Sequence, residues 1–454
     1  MLPPGPSPLT ALSNLRAMRQ DIIGFLIDLQ RRYGDVVRFR VGPIPIIFCA
    51  HPDGVRHVLQ ENARHYNKQT RGFAVIRELL GEGLLTSEGD TWFRQRRLMQ
   101  PAFHRQRLQS FGQLMVDAAE AVVTEWEPLA TSGETFDVTD SMMKLTLRVA
   151  SQALFGTDLG PEAGNVDSAF TSVLEWAKDR LTQTLFIPRW LPTASNRRGQ
   201  AAVATLDRVV YSVIEQRRRS QTSRDDLLQL LMDAKDEDTG EKMNDRQLRD
   251  EVMTLMLAGH ETSANALSWT FALLSKHVAV RKRLEEEVDA VLGGRLPSLE
   301  DLPKLRYTRQ VLDEGMRMYP PAWSVSRCAM APDKLLGYDV PEGQLVFLSS
   351  YVTHRHPDFW PNPESFDPDR FAPEHEKERH RMSYFPFGGG PRLCIGNNFA
   401  LMEMTIALAA LVQKFRVDLA PGQELIRDAS ITLRPRGGLR MRVTRRNRPV
   451  EVAA

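Results

Sequence analysis

The sequence predicts a mainly helical protein with a smaller β-rich part, an α+β fold, and three observations predict it. Apolar residues recur at three- and four-residue spacing from about Pro52 to Val291, the period of a helix with one buried face. The stretch VVRFRVGPIPIIFCAHP, rich in β-branched and aromatic residues, reads as two short strands turning at Gly42 and Pro43. Strand-like pieces return late, in QLVFLSSY and LRMRVTRR. With no internal repeat and no long Pro/Ser/Gly linker, residues 1–454 are assigned to a single domain, β-rich near 36–50, 325–350 and 429–445 and helical elsewhere.

Taken in order, MLPPGPSPLTALSNLRAMRQD has no long apolar run ahead of its prolines, so neither a signal peptide nor a spanning helix is expected there. FGQLMVDAAEAVVTEW, DRVVYSVIEQRRR and DDLLQLLMDA each keep the helical period, and KDEDTGEKMNDR reads as a solvated loop between helices. DEVMTLMLAGHETSANALSWTFALLSKHV is the longest expected helix, apolar nearly all round at its start, as a helix buried in a large core is. Its centre departs from that pattern: Ala258, Gly259, Ser263, Ala264 and Ala266 are small, and His260, Glu261 and Thr262 lie among them. A glycine inside a helix costs about 1 kcal/mol relative to alanine. Two readings stand: a close helix crossing with Thr262 bonded back to the carbonyl of Ala258, or a groove opened for a small ligand beside an acid and an alcohol. EGMRMYPP closes another helix at Pro320–Pro321 and places Glu314 and Arg317 at i, i+3. An exposed pair of this kind contributes only about 0.2–0.5 kcal/mol. Arg370 in FDPDRF offers a second guanidinium to the same carboxylate, and the three then form a buried structural triad joining helix to loop.

Composition bounds the function. Hydrophobic residues at 42% and charged residues at 26% describe an ordinary soluble chain, and a net charge of +2 gives no reason to expect nucleic acid as a partner. Cys49, Cys328 and Cys394 are odd in number and far apart, which leaves neither a disulfide framework nor a CxxC zinc pair and fits a reducing, cytoplasmic setting. Cys49 and Cys328 read as small buried hydrophobes. Cys394 stands apart in FPFGGGPRLCIGNNFALMEM, behind Gly388, Gly389 and Gly390 and ahead of an apolar segment. Glycines there permit tight turns and a close approach of backbone to a ligand.

Together these residues resemble the cytochromes P-450 of the soluble bacterial type. Phe387, Gly390, Arg392, Cys394 and Gly396 match that family's F-x-x-G-x-R-x-C-x-G cysteine loop, AGHETS at 258–263 is similar to its oxygen-groove helix, and Glu314 and Arg317 match its E-x-x-R pair. WFRQR, with Trp92 and Arg96, resembles its W-x-x-x-R helix, and FDPDRF the loop that completes the triad. The five motifs fall in the family's order between residues 92 and 396, and PPGP and TLRPRGG extend the likeness to nearly the whole chain.

The resemblance implies a haem b held between the long central helix and the cysteine loop, with Cys394 as the axial thiolate on iron. It implies Arg96, Arg392 and Arg327 as propionate partners with Trp92 beside one of them, although each arginine also has an ordinary surface reading. It implies a monooxygenase using dioxygen and electrons derived from NAD(P)H, in which Thr262 positions water and Glu261 relays protons. No flavin or iron–sulfur segment follows the haem module, so a separate ferredoxin or flavodoxin-type donor with its reductase is expected, and a monomer. Arg94, Arg97, Arg105 and Arg107 either form part of its basic docking patch or are merely a solvated helix end. The implied substrate pocket is walled by Phe73 to Leu80, by LEWAKDRLTQTLFIPRW, by Ala258, by Trp323 to Val325 and by the turn around Thr432. GPIPIIF lacks the Arg and Tyr with which some fatty-acid hydroxylases grip a carboxylate, which favours a terpenoid, steroid or other neutral lipophile. Two readings from other classes stay in view: a haem protein that only carries electrons or senses gas, and a hydrolase using Cys394 with His354 or His356.

Overall fold

Asn244 starts the longest helix, Asp245–Lys276, with a capping box: its side chain accepts from the backbone N–H of Gln247, whose side chain reaches back to the N–H of Asn244. That cap sets the helix start five residues before the expected segment. The computed structural model describes residues 1–156, 163–182, 187–219, 224–236 and 240–446.

The amino-terminal part carries α1 (Ala11–Tyr33), β1 (Val36–Val41), β2 (Ile44–Cys49), α2 (Pro52–Arg56), β3 (Tyr66–Asn67), α3 (Arg71–Leu80) and α4 (Gly89–Met99). It continues through α5 (Arg105–Ser110), α6 (Gly112–Ser132), β4 (Thr135–Asp137), α7 (Val138–Phe155), α8 (Ala163–Thr182), α9 (Ala194–Arg219) and α10 (Leu227–Asp233). After the long helix, α11, come α12 (Val278–Leu292), α13 (Arg306–Met318), β5 (Val325–Ala329), β6 (Asp333–Leu335), β7 (Tyr338–Val340), β8 (Leu345–Leu348) and α14 (Ser350–Thr353). The chain closes with α15 (Asn397–Lys414), β9 (Phe415–Leu419), β10 (Arg427–Ala429), β11 (Leu433–Pro435) and β12 (Arg440–Arg445).

β1 and β2 pair antiparallel around Gly42, whose φ of 57° suits the turn. The hairpin extends into a five-stranded sheet ordered β1-β2-β8-β5-β3, in which β2 and β8 run parallel. β10 and β11 make a second hairpin. KDEDTGEKMNDR holds an isolated bridge between Lys235 and Lys242, and its residues 237–239 lie outside the described residues.

Helices α6, α7, α11, α13 and α15 contribute to one apolar core. Trp126 of α6 sits at its centre, 5.9 Å from Phe271 of α11 and 6.0 Å from Phe415. α11 crosses α7 closely at Gly259, where a Cβ would lie 3.9 Å from that of Ala150. No helix among the described residues is long and apolar enough to cross a membrane.

The E-x-x-R pair is fully buried. Arg317 donates to both carboxylate oxygens of Glu314 at 2.6 and 2.8 Å and to the carbonyls of His354, Pro363 and Ser365. The N–H of Asp367 adds a bond of 2.9 Å to Glu314, and Arg370 Nε stands 3.5 Å away. Arg370 is thus the outer member, and its shorter contact is with the carbonyl of Asn362 at 2.9 Å. Removing one partner of a buried pair strands the other charge at about 3–5 kcal/mol. Glu314→Ala is therefore expected to give poorly folded protein, and Arg370→Ala a loss of only about 1–2 kcal/mol. Thermal unfolding of the two variants checks the ranking, which equal losses would contradict.

Candidate active site

A cavity of about 1090 Å³ opens between α11 and the cysteine loop, with walls from α1, α3, α4, α7, α8, the large sheet and the β10–β11 hairpin. Every cofactor and pocket position expected from the sequence borders it: Phe73, Trp92, Arg96, Ala258, Trp323, Val325, Arg327, Phe387, Arg392, Cys394, Gly396 and Thr432, together with Glu261 and Thr262. Of the expected pocket segment 174–190, residues 183–186 lie outside the described residues.

Backbone constraints set the cysteine loop. Gly388 and Gly390 hold φ of 76° and 65°, which side-chain-bearing residues rarely adopt. Gly390 also lies so close to the chain that a Cβ would stand 1.8 Å from the carbonyl oxygen of Leu59. Residues His57–Glu61 form a π turn beneath it, a helix variant common at functional sites. The N–H of Cys394 donates to the carbonyl of Phe387 at 3.0 Å, and that of Gly396 donates to the sulfur. Burial raises the Cys394 thiol, while that N–H and Arg96 pull it down. Cys394 opens into the cavity; Cys49 is buried, its thiol pushed up to about 12 by desolvation, as an inert hydrophobe's would be.

Cations crowd one side of the cavity. Arg96 donates to the carbonyl of Leu393 at 2.9 Å, and Arg392 lies over the Trp92 ring at 3.8 Å while donating to the carbonyl of Ser87. Arg327 is buried and pushed down to about 10 by desolvation, then by the neighbouring Arg392. Lys68, which the sequence reading passed over, completes the group: it is buried, donates to the carbonyl of Leu85 at 2.6 Å, and is held well below the usual lysine range by desolvation, then by Arg327 and Arg392. Among the described residues, Glu88 is the carboxylate that engages them, 3.0 Å from Arg392 and bonded to the N–H of Lys68. Four cations, two of them buried, with one acid leave a positive surplus on the cavity wall. Haem, a flat apolar ring with two carboxylates, fits both that surplus and the sulfur opposite α11.

Both readings of the centre of α11 hold at once. Thr262 donates back to the carbonyl of Ala258 at 2.6 Å, and Ala258, Gly259 and Thr262 open into the cavity. Glu261 points to the β10–β11 turn, where Thr432 donates to it at 2.6 Å. Burial raises its carboxyl, and Thr432 pulls it down. Thr432, expected only as pocket wall, is thus the partner of the acid. Glu403 of α15 was also missed: its carboxyl is buried and pushed up to about 8, with Ser263 of α11 pulling it down.

The structure bears on two readings that the sequence left as alternatives. The histidines of the hydrolase reading are engaged elsewhere: His354 accepts from the N–H of Phe385 at 2.9 Å, and His356 pairs with Asp35 at 2.9 Å. The arginines offered as a docking patch are partly neutralised, Arg94 and Arg97 by Asp236 at 3.4 and 2.8 Å and Arg107 by Asp225. The Arg105 side chain lies outside the described residues.

The glycines of the loop separate space from conformation. Gly390→Ala meets both the Leu59 carbonyl and a strained φ and is expected to abolish haem incorporation. Gly388→Ala has nothing within 4 Å of the new Cβ and should load with haem at a backbone cost of about 1–2 kcal/mol. Haem absorbance per unit protein distinguishes them, and equal loading would contradict the close-approach argument.

Comparison with known proteins agrees with this geometry. The Cytochrome P450 family profile matches residues 3–439. The chain is 40% identical over 424 residues to cyclooctatin synthase of Streptomyces melanosporofaciens, covering 93% of this chain and 91% of that protein. It is 36% identical over 418 residues to pentalenene oxygenase of Streptomyces avermitilis, covering 91% of each. A crystal structure of the cytochrome P450DA heme domain superposes with a TM-score of 0.90 at 29% identity, covering 98% of both chains. The chain belongs to the cytochrome P450 family and has its fold.

Proposed function

We propose that this P450 monooxygenase inserts one oxygen atom into a cyclic terpenoid, by hydroxylation or epoxidation. The observation that carries the reading is the acid–alcohol pair Glu261–Thr262 on α11, bordering the same cavity as Cys394. An electron carrier or gas sensor has no use for that pair or for so large a cavity. Relatives named cyclooctatin synthase, cyclooctat-9-en-7-ol 5-monooxygenase and pentalenene oxygenase support the terpenoid class.

In this reading Cys394 ligates haem b, and Lys68, Arg96, Arg327 and Arg392 pair with the propionates, Trp92 orienting Arg392 through its ring face. The bound haem supplies thiolate-assisted cleavage of dioxygen. Thr262, its proton committed to the Ala258 carbonyl, turns hydroxyl lone pairs to the cavity and holds water there. Glu261 takes up protons at the carboxylate that Thr432 now holds and releases them towards that water. Apolar residues such as Phe73 and Val325 exclude bulk water and orient the substrate. Electrons from NAD(P)H arrive through a separate ferredoxin or flavodoxin-type donor and its reductase, and the enzyme works as a cytoplasmic monomer of one domain.

A panel of cyclic terpenes tests the class by low-to-high-spin shift and product formation; activity confined to free fatty acids would overturn it. With any accepted terpene, Thr262→Ala should keep consuming dioxygen while product per NAD(P)H falls and hydrogen peroxide rises. One hydrogen bond of about 0.5–1.5 kcal/mol shifts that partition by roughly two- to tenfold. Unchanged coupling would remove Thr262 from the proton route.

A further inference from the structure

Beyond the cation cluster and the Glu261–Thr262 groove, two ion pairs border the cavity, Arg427 with Asp21 at 3.0 Å and Lys178 with Asp428, and the second is the more deeply buried. Lys178 of α8 places its ammonium 2.8 Å from both oxygens of Asp428 in β10, and both side chains border the cavity. Arg434, the cross-strand partner of Asp428, adds a longer contact of 3.3 Å. Asp428 is 7% exposed. A carboxylate offers about four acceptor sites, and these three contacts leave room for one more donor from the cavity side. An apolar ligand would bury that residual capacity unused, which is unfavourable; a ligand hydroxyl would satisfy it through a charge-assisted bond.

We propose that Asp428, held in place by Lys178, receives a hydroxyl group of the substrate, so that the enzyme acts on a cyclic terpene that is already an alcohol. This rests on the terpenoid reading above. The hairpin supplies a ruler. Thr432 bonds Glu261 beside the Thr262 groove, and the Asp428–Arg434 pair lies one rung beyond Ala429–Leu433. At about 3.4 Å of rise per residue and about 5 Å between paired strands, the anchor stands on the order of 8 Å from Thr432. That span matches opposite ends of a fused multi-ring hydrocarbon, with the hydroxyl at Asp428 and the oxidised carbon at the groove. The substrate must then come from a reaction that leaves an alcohol on the cyclised skeleton, either cyclisation ended by water capture or an earlier hydroxylation.

The test titrates haem-loaded enzyme, by spin-state shift, with cedrol and cyclooctat-9-en-7-ol, each beside the hydrocarbon in which hydrogen replaces the hydroxyl. Without a buried partner the alcohol loses its water bonds for nothing, so a preference for it reports the contact. Each alcohol that binds is expected about tenfold or more tighter than its hydrocarbon. The double variant Asp428→Leu with Lys178→Met removes both charges together and should bring the two within about threefold, its carbon monoxide spectrum reporting an intact haem site. Equal binding in the wild type, or a preference that survives the double variant, overturns the proposal and makes the ion pair a clamp between α8 and the hairpin. Binding of the hydrocarbons alone overturns it likewise, while leaving the terpenoid reading in place. Absence of a shift with every member of the panel overturns the terpenoid reading and this inference with it.

Discussion

The bond between Glu314 and Arg317 positions more than its own helix. Arg317 holds the carbonyl of His354, and the ring of His354 accepts the N–H of Phe385 at the entrance to the cysteine loop. Tyr384 ties the preceding residue to α13 through the carbonyl and carboxylate of Asp313, at 3.0 Å each. Two residues further on, the carbonyl of Phe387 receives the N–H of Cys394. A chain of polar contacts thus runs from one ion pair to the cysteine loop. Its links from Glu314 through Arg317 and His354 to Phe385 are buried, so breaking one of them strands a polar group rather than exchanging it for water.

A second constraint is charge. Lys68, Arg96, Arg327 and Arg392 gather where one carboxylate, Glu88, offsets them. Burial first, and then repulsion between these cations, holds Lys68 and Arg327 below their usual ranges. Two further carboxylates, which haem brings, would relieve that repulsion. The site is then stabilised by its cofactor as well as serving it. The acid on the opposite wall is arranged differently: Glu261 is bonded by Thr432 of a hairpin turn and by Asn265 of its own helix, both neutral, and by none of the cations above. This arrangement leaves the acid able to change protonation state while the propionate side stays fixed.

Short contiguous motifs were legible in the sequence because a turn or a helix face brings their members together locally. Gly388 to Cys394, Glu314 with Arg317, and Glu261 with Thr262 are of this kind, as is the hairpin at Gly42. What escaped depends on contacts between distant segments. Lys68 meets Glu88 twenty residues on, and Thr432 reaches Glu261 across 171 residues; no local period marks either. Nor does any local period show that Arg94 and Arg97, open between a docking patch and a solvated helix end, meet Asp236, 139 residues from Arg97. His354 was legible as a histidine near a cysteine motif, but only the fold shows that its nitrogen holds backbone instead of activating sulfur.

The glycine approach, the buried triad and the cation cluster all serve one geometry, in which Cys394 is the thiolate that meets iron. The most direct measurement is the absorption spectrum of the reduced protein under carbon monoxide, taken for the wild type and for Cys394→His. The strongly red-shifted Soret band of thiolate ligation is expected in the wild type and is expected to be lost in the variant. A wild type without that band, or a Cys394→His protein that keeps it, would contradict the assignment.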